Sequence, residues 1–131
     1  RVLQKYPDIK FITHHCGAMI SFFEKRILTF LSDPDMKESC TRGFDKPPIE
    51  YFKMFYGDTA IGGSTPGLMC GYAFFGPDHI LFGTDMPYGT SYSNVSLLEE
   101  NIRAVERMDI PDADKDKIFS GNAIKMLGLK V

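Results

Sequence analysis

Ile80-Leu81-Phe82-Gly83-Thr84-Asp85-Met86-Pro87-Tyr88-Gly89 decides how this chain is read. An apolar run ends in a carboxylate, and Pro and Gly follow at once. A buried parallel strand delivers one charged side chain to the rim of a sheet in this way. A charge in that position is costly unless it is paired or bound to a metal. Alternation along the strand puts Leu81, Gly83 and Asp85 on one face. In a (β/α) barrel that face points inward, with Asp85 at the mouth where active sites lie. Read alone, Asp85 is equally a helix-capping residue after a strand.

Outward from that stretch, strands and helices alternate. Ile9 to His15 is rich in β-branched and aromatic residues and reads as a strand. Ser21, with Glu24 three residues on, suggests a capping box for a helix from Phe22 to about Leu31. Ser32-Asp33-Pro34 stops it, and Asp35 to Pro48 reads as a loop. A second strand is expected over Lys53 to Tyr56, with Gly57 and Asp58 at its end. Thr65-Pro66 opens a helix with Pro at its first position. A third strand runs from His79 to Thr84, followed by a loop from Pro87 to Ser96. A helix from Leu97 to Met108 carries Leu98, Ile102 and Val105 as its apolar stripe, and a last helix runs from Asp114 to Leu127. The order predicts an α/β fold with a parallel sheet.

The chain has 131 residues, 44% of them hydrophobic, with 11 Phe and 6 Tyr, enough for one domain with a core. A net charge of −2 gives no case for nucleic acid as a partner. No apolar run is long enough to cross a bilayer, so no membrane partner is expected. Cys16, Cys40 and Cys70 form no metal-binding or disulfide spacing, and a reduced, cytoplasmic setting follows. Residue 1 is Arg, and Val2, Leu3 and Tyr6 read as one face of a helix stopped by Pro7-Asp8. The expectation is a chain cut upstream.

Three successive strand ends carry polar groups: His15, Asp58 and Asp85. Catalytic residues of a barrel come from several strand ends at one rim. Phe11, Thr13 and His15 share a face and His14 lies on the other, so one histidine is expected to face inward. Asp58 reads more simply as a turn carboxylate, and His79, before its strand, as a structural group at the opposite rim. Cys16 reads as a buried structural thiol. Gly62-Gly63-Ser64 reads as a loop with a helix cap rather than an anion cradle. There is no GxGxxG, P-loop or GxSxG.

Ile12-Thr13-His14-His15-Cys16-Gly17-Ala18 resembles the His-x-Gly strand end of the amidohydrolase-related family. Phe75 to Tyr88 is similar to that family's last-strand signature, GxDxILFGTDxP. Ile118 to Leu129, with Gly121-Asn122-Ala123, is similar to its closing helix. The family includes the aminocarboxymuconate semialdehyde and resorcylate decarboxylases.

The resemblance implies the C-terminal part, about three β/α units, of a TIM (β/α)8 barrel over residues 1–131. It implies one divalent metal, zinc or manganese, in the complete protein. By it, Asp85 is the last-strand metal ligand and general base, and His15 is the sixth-strand catalytic histidine. His14 matches no functional position, and Cys16 stands where Gly is more usual. The family's other ligands have no counterpart here, so this chain alone is expected to bind no metal and to be inactive. The missing N-terminal half of the barrel and further copies of the chain are its expected partners. The favoured activity is decarboxylation of a small aromatic or unsaturated carboxylic acid. The alternatives are hydrolysis of an ester, lactone or amide, and a non-catalytic remnant or half-barrel subunit. Tyr88, Tyr92 and Asn94 sit in the last-strand loop, where contact with substrate is open.

Overall fold

The computed structural model describes residues 1–88 and 96–130. Its elements are α1 (Val2–Lys5), β1 (Ile12–Thr13), α2 (His14–Gly17), α3 (Glu24–Ser32), α4 (Pro34–Thr41), α5 (Pro48–Phe52), β2 (Tyr56–Asp58), α6 (Thr65–Phe75), β3 (Ile80–Leu81), α7 (Leu97–Glu106), α8 (Asp112–Asp116) and α9 (Asn122–Leu127). The three strands lie in the order β1-β2-β3, all parallel. Ile12 is paired with Tyr56 in the register, and Gly57 with Ile80.

One face of the sheet is covered by helices. Ile80 packs there with Leu68, Phe74 and Phe75 of α6, Ala104 and Val105 of α7, and Ile118. Each fully buried apolar side chain of this kind contributes about 1.5–3 kcal/mol. The other face begins with Ile12, which is 48% exposed. Asp58 also belongs to it, since a Cβ added at Gly83 would lie 3.2 Å from Asp58 Cβ.

The strands are shorter than the sequence suggests, and side chains take over where the ladders stop. The expected first strand is regular only over Ile12–Thr13, because the chain turns at His14. The second is displaced from Lys53–Tyr56 to Tyr56–Asp58, because the turns that follow α5 hold the chain as far as Phe55. The third is regular over Ile80–Leu81, and Pro77–His79 forms a 3-10 turn before it. Beyond Leu81, the Thr59 hydroxyl donates to the Gly83 carbonyl (2.8 Å) and accepts from the Gly83 N–H (3.0 Å), replacing a rung. On the far edge of β3, the Phe82 N–H donates to the Ile118 carbonyl (2.9 Å) and Asn122 Nδ2 donates to the Ile80 carbonyl (2.8 Å).

Asp35 to Pro48, read as a loop, holds α4 and the start of α5. Asp33 caps α4 by accepting from the N–H groups of Asp35 (3.1 Å) and Met36 (3.2 Å), and Pro34 opens the helix. The Asp-Pro pair that ends α3 therefore also starts α4. Ser21 makes no side-chain cap, and α3 starts at Glu24, whose carboxylate instead meets Lys53 Nζ at 3.3 Å. In α7 the buried face is Asn101, Ala104 and Val105, continued by Met108, while Leu98 is 41% exposed. Glu99 and Glu100 pair with Arg103 on its solvated side. The last helix begins earlier than expected, at Asp112, and contains a π-turn over Lys117–Gly121. Ser64 caps α6 with Pro66 in its first turn, as its sequence indicated.

Leu68 is fully buried, so Leu68→Ala is expected to cost about 2–5 kcal/mol in denaturant unfolding. A second expectation concerns acid. The Tyr72 hydroxyl donates to Asp114 Oδ2 (2.8 Å), and Lys117 Nζ lies 3.0 Å from Asp114 Oδ1. The Tyr72 bond first, and then Lys117, holds the Asp114 carboxyl below its ordinary 3.8. A lowered value means stability present above 3.8 and lost as pH falls through the lower folded value. Tyr72→Phe should therefore be less stable than the unaltered chain near neutrality, with the gap narrowing in acid.

Candidate functional site

The polar residues singled out in the sequence meet the ends of the three strands. β1 stops at Thr13, whose hydroxyl donates to the Tyr56 carbonyl (2.8 Å). His15 (φ 54°, ψ 45°) and Cys16 (φ 53°, ψ 39°) then take left-handed conformations, and Ala18 follows at φ 52°. Among the described residues, the non-glycine positions with positive φ are His15, Cys16, Ala18 and Asp85, all just beyond β1 or β3. Such conformations cost about 1–2 kcal/mol each and gather at functional sites. Gly17 is required in this turn: at φ +73°, a Cβ would lie 2.7 Å from both Ile20 and Phe75.

Strand alternation does not decide between the two histidines, because the strand ends before either of them. Both rings are engaged. His15 Nδ1 lies 2.7 Å from the Ala60 carbonyl. A carbonyl only accepts, so Nδ1 carries the proton, and Nε2 has no hydrogen-bond partner among the described residues. His14 Nδ1 lies 3.5 Å from Asp58 Oδ2. Asp58 is 9% exposed, and its Oδ1 accepts from the N–H groups of Ala60 (3.0 Å) and Cys16 (3.4 Å). Asp58 is a turn carboxylate, as its sequence position suggested, but it also binds the turn after the neighbouring strand.

Asp85 is exposed at the same rim, beyond β3, with β2 and Asp58 between it and the histidines. Its carbonyl accepts from the Tyr88 N–H (2.9 Å), closing a turn that leaves Tyr88 74% exposed. Tyr92 and Asn94 lie outside the described residues. Asn101, which the sequence reading missed, supports this rim from α7. It is 1% exposed; its Oδ1 accepts from the Gly63 N–H (3.1 Å) and its Nδ2 donates to the Thr84 carbonyl (3.4 Å). Its signal is position: Asn101, Ala104, Val105 and Met108 have the i, i+3, i+4, i+7 spacing of a buried face.

Cys16 is structural, as expected. Its Sγ packs where a side chain at Gly71 would stand, and burial first, with nearby Asp58 second, pushes the thiol up to about 12. His79 is structural too. Its Nδ1 bonds the Lys53 (2.9 Å) and Phe55 (3.2 Å) carbonyls at the opposite rim, and its ring stacks on Tyr56.

No three His, Cys, Asp or Glu residues converge on one metal position among the described residues. A structural zinc takes four ligands, and a catalytic one takes three with a water. The donors present among the described residues do not fit a complete coordination shell.

A parallel sheet with helices on one face and histidine and aspartate groups at one strand rim has the arrangement of a portion of a (β/α)8 barrel. The chain belongs to the Amidohydrolase family, which matches it over residues 1–129. It is 30% identical over 125 residues to the 6-methylsalicylic acid decarboxylase of Penicillium expansum, covering 95% of this chain and 36% of that one. The manganese-bound dihydroxybenzoic acid decarboxylase of Polaromonas sp., with the inhibitor 2-nitroresorcinol, is similar at 28% identity and TM-score 0.77, over 98% of this chain and 36% of that one. The apo IDCase of Metarhizium anisopliae has the same fold at TM-score 0.80 and 24% identity, over 97% of this chain and 36% of that one. The chain thus spans about a third of the length of the relatives it matches.

The three cysteines are free, Cys16 buried and Cys40 exposed. In the folded chain iodoacetamide should alkylate Cys40 readily and leave Cys16 unmodified until denaturant is added, as peptide mass mapping would read.

Proposed function

We propose that this chain supplies the strand-end acid–base groups of a decarboxylase acting on a small aromatic carboxylic acid. The observation that carries the reading is the common rim of His15 and Asp85, with His15 Nε2 left free by the bond from Nδ1 to Ala60. The substrate class is supported by the names of the relatives, a 6-methylsalicylic acid decarboxylase and a dihydroxybenzoic acid decarboxylase. No helix among the described residues is long and apolar enough to cross a membrane, and the three free thiols suit a reducing, cytoplasmic setting.

Decarboxylation replaces a carboxylate on carbon by a proton. His15 Nε2 is the atom of this chain suited to hold and deliver that proton. Asp85 is the chain's candidate donor to a divalent metal, for which manganese in the Polaromonas decarboxylase is the precedent. In the complete barrel such a metal would supply Lewis acidity, and the part this chain would give it is the Asp85 carboxylate. The remaining donors are not among the described residues, so the activity belongs to the protein in which the barrel is complete.

In that protein, supplied with manganese and 6-methylsalicylate or 2,6-dihydroxybenzoate, carbon dioxide release is expected. His15→Ala should lower kcat by about 100-fold or more. Asp85→Asn should remove both activity and stoichiometric manganese. Ester or lactone hydrolysis without carbon dioxide would replace this reading with the hydrolytic one.

A further inference from the structure

We propose that Asp58 is a positioning residue for both histidines, touching His14 directly and setting the free nitrogen of His15 through Ala60. The inference rests on the reading of His15 as the acid–base group. Asp58 sits at the end of the central strand, almost wholly buried, with each carboxylate oxygen turned to a different task.

Oδ1 joins two segments far apart in sequence. It accepts from Cys16 N–H (3.4 Å) in the left-handed turn after β1 and from Ala60 N–H (3.0 Å) in the turn after β2. A left-handed turn presents its N–H groups to an anion, and here the anion is the protein's own carboxylate. The Ala60 N–H is held by Asp58, and the Ala60 carbonyl holds His15 Nδ1 at 2.7 Å. Asp58 Oδ1 therefore anchors the N-terminal side of the residue whose carbonyl meets His15, while the carbonyl's own peptide unit is held by the Ile61 N–H donating to the Thr59 carbonyl (2.8 Å). Oδ2 faces His14 Nδ1 at 3.5 Å. A carboxylate that served its own turn alone would bond Ala60 and nothing after β1.

The two oxygens can be separated by substitution. Asp58→Asn keeps an oxygen at Oδ1 but places an N–H donor opposite His14. Asp58→Ala removes both acceptors and frees the Ala60 N–H. The readout is the long-range 1H–15N spectrum of the imidazole rings in the 15N-labelled 131-residue chain, at one fixed pH. Resonances are assigned from His14→Gln, His15→Gln and His79→Gln. His79 bonds carbonyls at the opposite rim and reports whether the fold persists.

In the unaltered chain His15 should show a single tautomer, protonated at Nδ1. Asp58→Asn should preserve it while shifting the His14 nitrogens. Asp58→Ala should convert His15 to an averaged pair of tautomers with His79 unchanged. The proposal is overturned if His15 is already averaged in the unaltered chain, or if it keeps its tautomer in Asp58→Ala with His79 intact. If Asp58→Ala loses the His79 pattern through unfolding, Asp58→Asn decides: only shifted His14 with preserved His15 supports the proposal, and any other pattern overturns it. The measurement needs no substrate or metal. Failure to find decarboxylation would overturn the function and leave the ring result standing.

Discussion

The Asp58 carboxylate is the constraint on which the rim of this sheet depends. Strands of two or three residues offer few ladder bonds, and their ends carry left-handed backbone that costs energy to hold. Such left-handed conformations are tolerated better by His15 than by Cys16 and are uncommon for both. They persist because the Cys16 N–H finds an acceptor in Asp58, and because Gly17 and Gly71 let the turn and its thiol lie close against α6. Remove that acceptor and the turn after β1 loses its backbone link to the turn after β2, keeping the one from the His15 ring to Ala60.

The same device recurs around the rim. Thr59 substitutes for a rung between β2 and Gly83, Asn101 ties α7 to Thr84, and Asn122 ties α9 to β3. Among the described residues the buried polar ones are Asp58, Thr59, Asn101 and Asn122, and each bonds backbone on another element. Buried polar groups cost free energy unless they are satisfied, and these are. The apolar core behind them decides that the helices pack on the sheet. The polar set decides where the strands stop and which way their last residues turn.

The architecture was legible because its signals are local. The alternating apolar runs, Ser64 with Pro66, and the run ending at Asp85 all carry their meaning within a few residues. What escaped needs a partner distant in sequence. Strand alternation does not reach His14 and His15, because the chain turns after Thr13 and the turn packs against Asp58, some forty residues on. The Asp33-Pro34 pair was read as a stop although the same chemistry starts α4. Asn101 was passed over because a polar residue on a helix reads as solvated until its two backbone partners are known. His15 and Asp85 do lie at one rim, as the pattern of strand ends suggested, while the contact of His14 with Asp58 was invisible in sequence.

The bonds that Asn122 and the Ile118 carbonyl make to β3 bear on how the molecule can associate. Exposed strand edges are templates for pairing with other chains. Along Ile80 to Phe82 that template is already filled by the chain's own closing helix. A strand joining on this side would have to meet β3 beyond Phe82 or displace those groups. The edge of β1 has no such cover among the described residues, and Ile12 beside it is open to solvent. The two flanks are therefore unequal: closing a barrel would need a strand on each, with β1 open to one and the groups of the closing helix at Ile80 and Phe82 having to give way to the other.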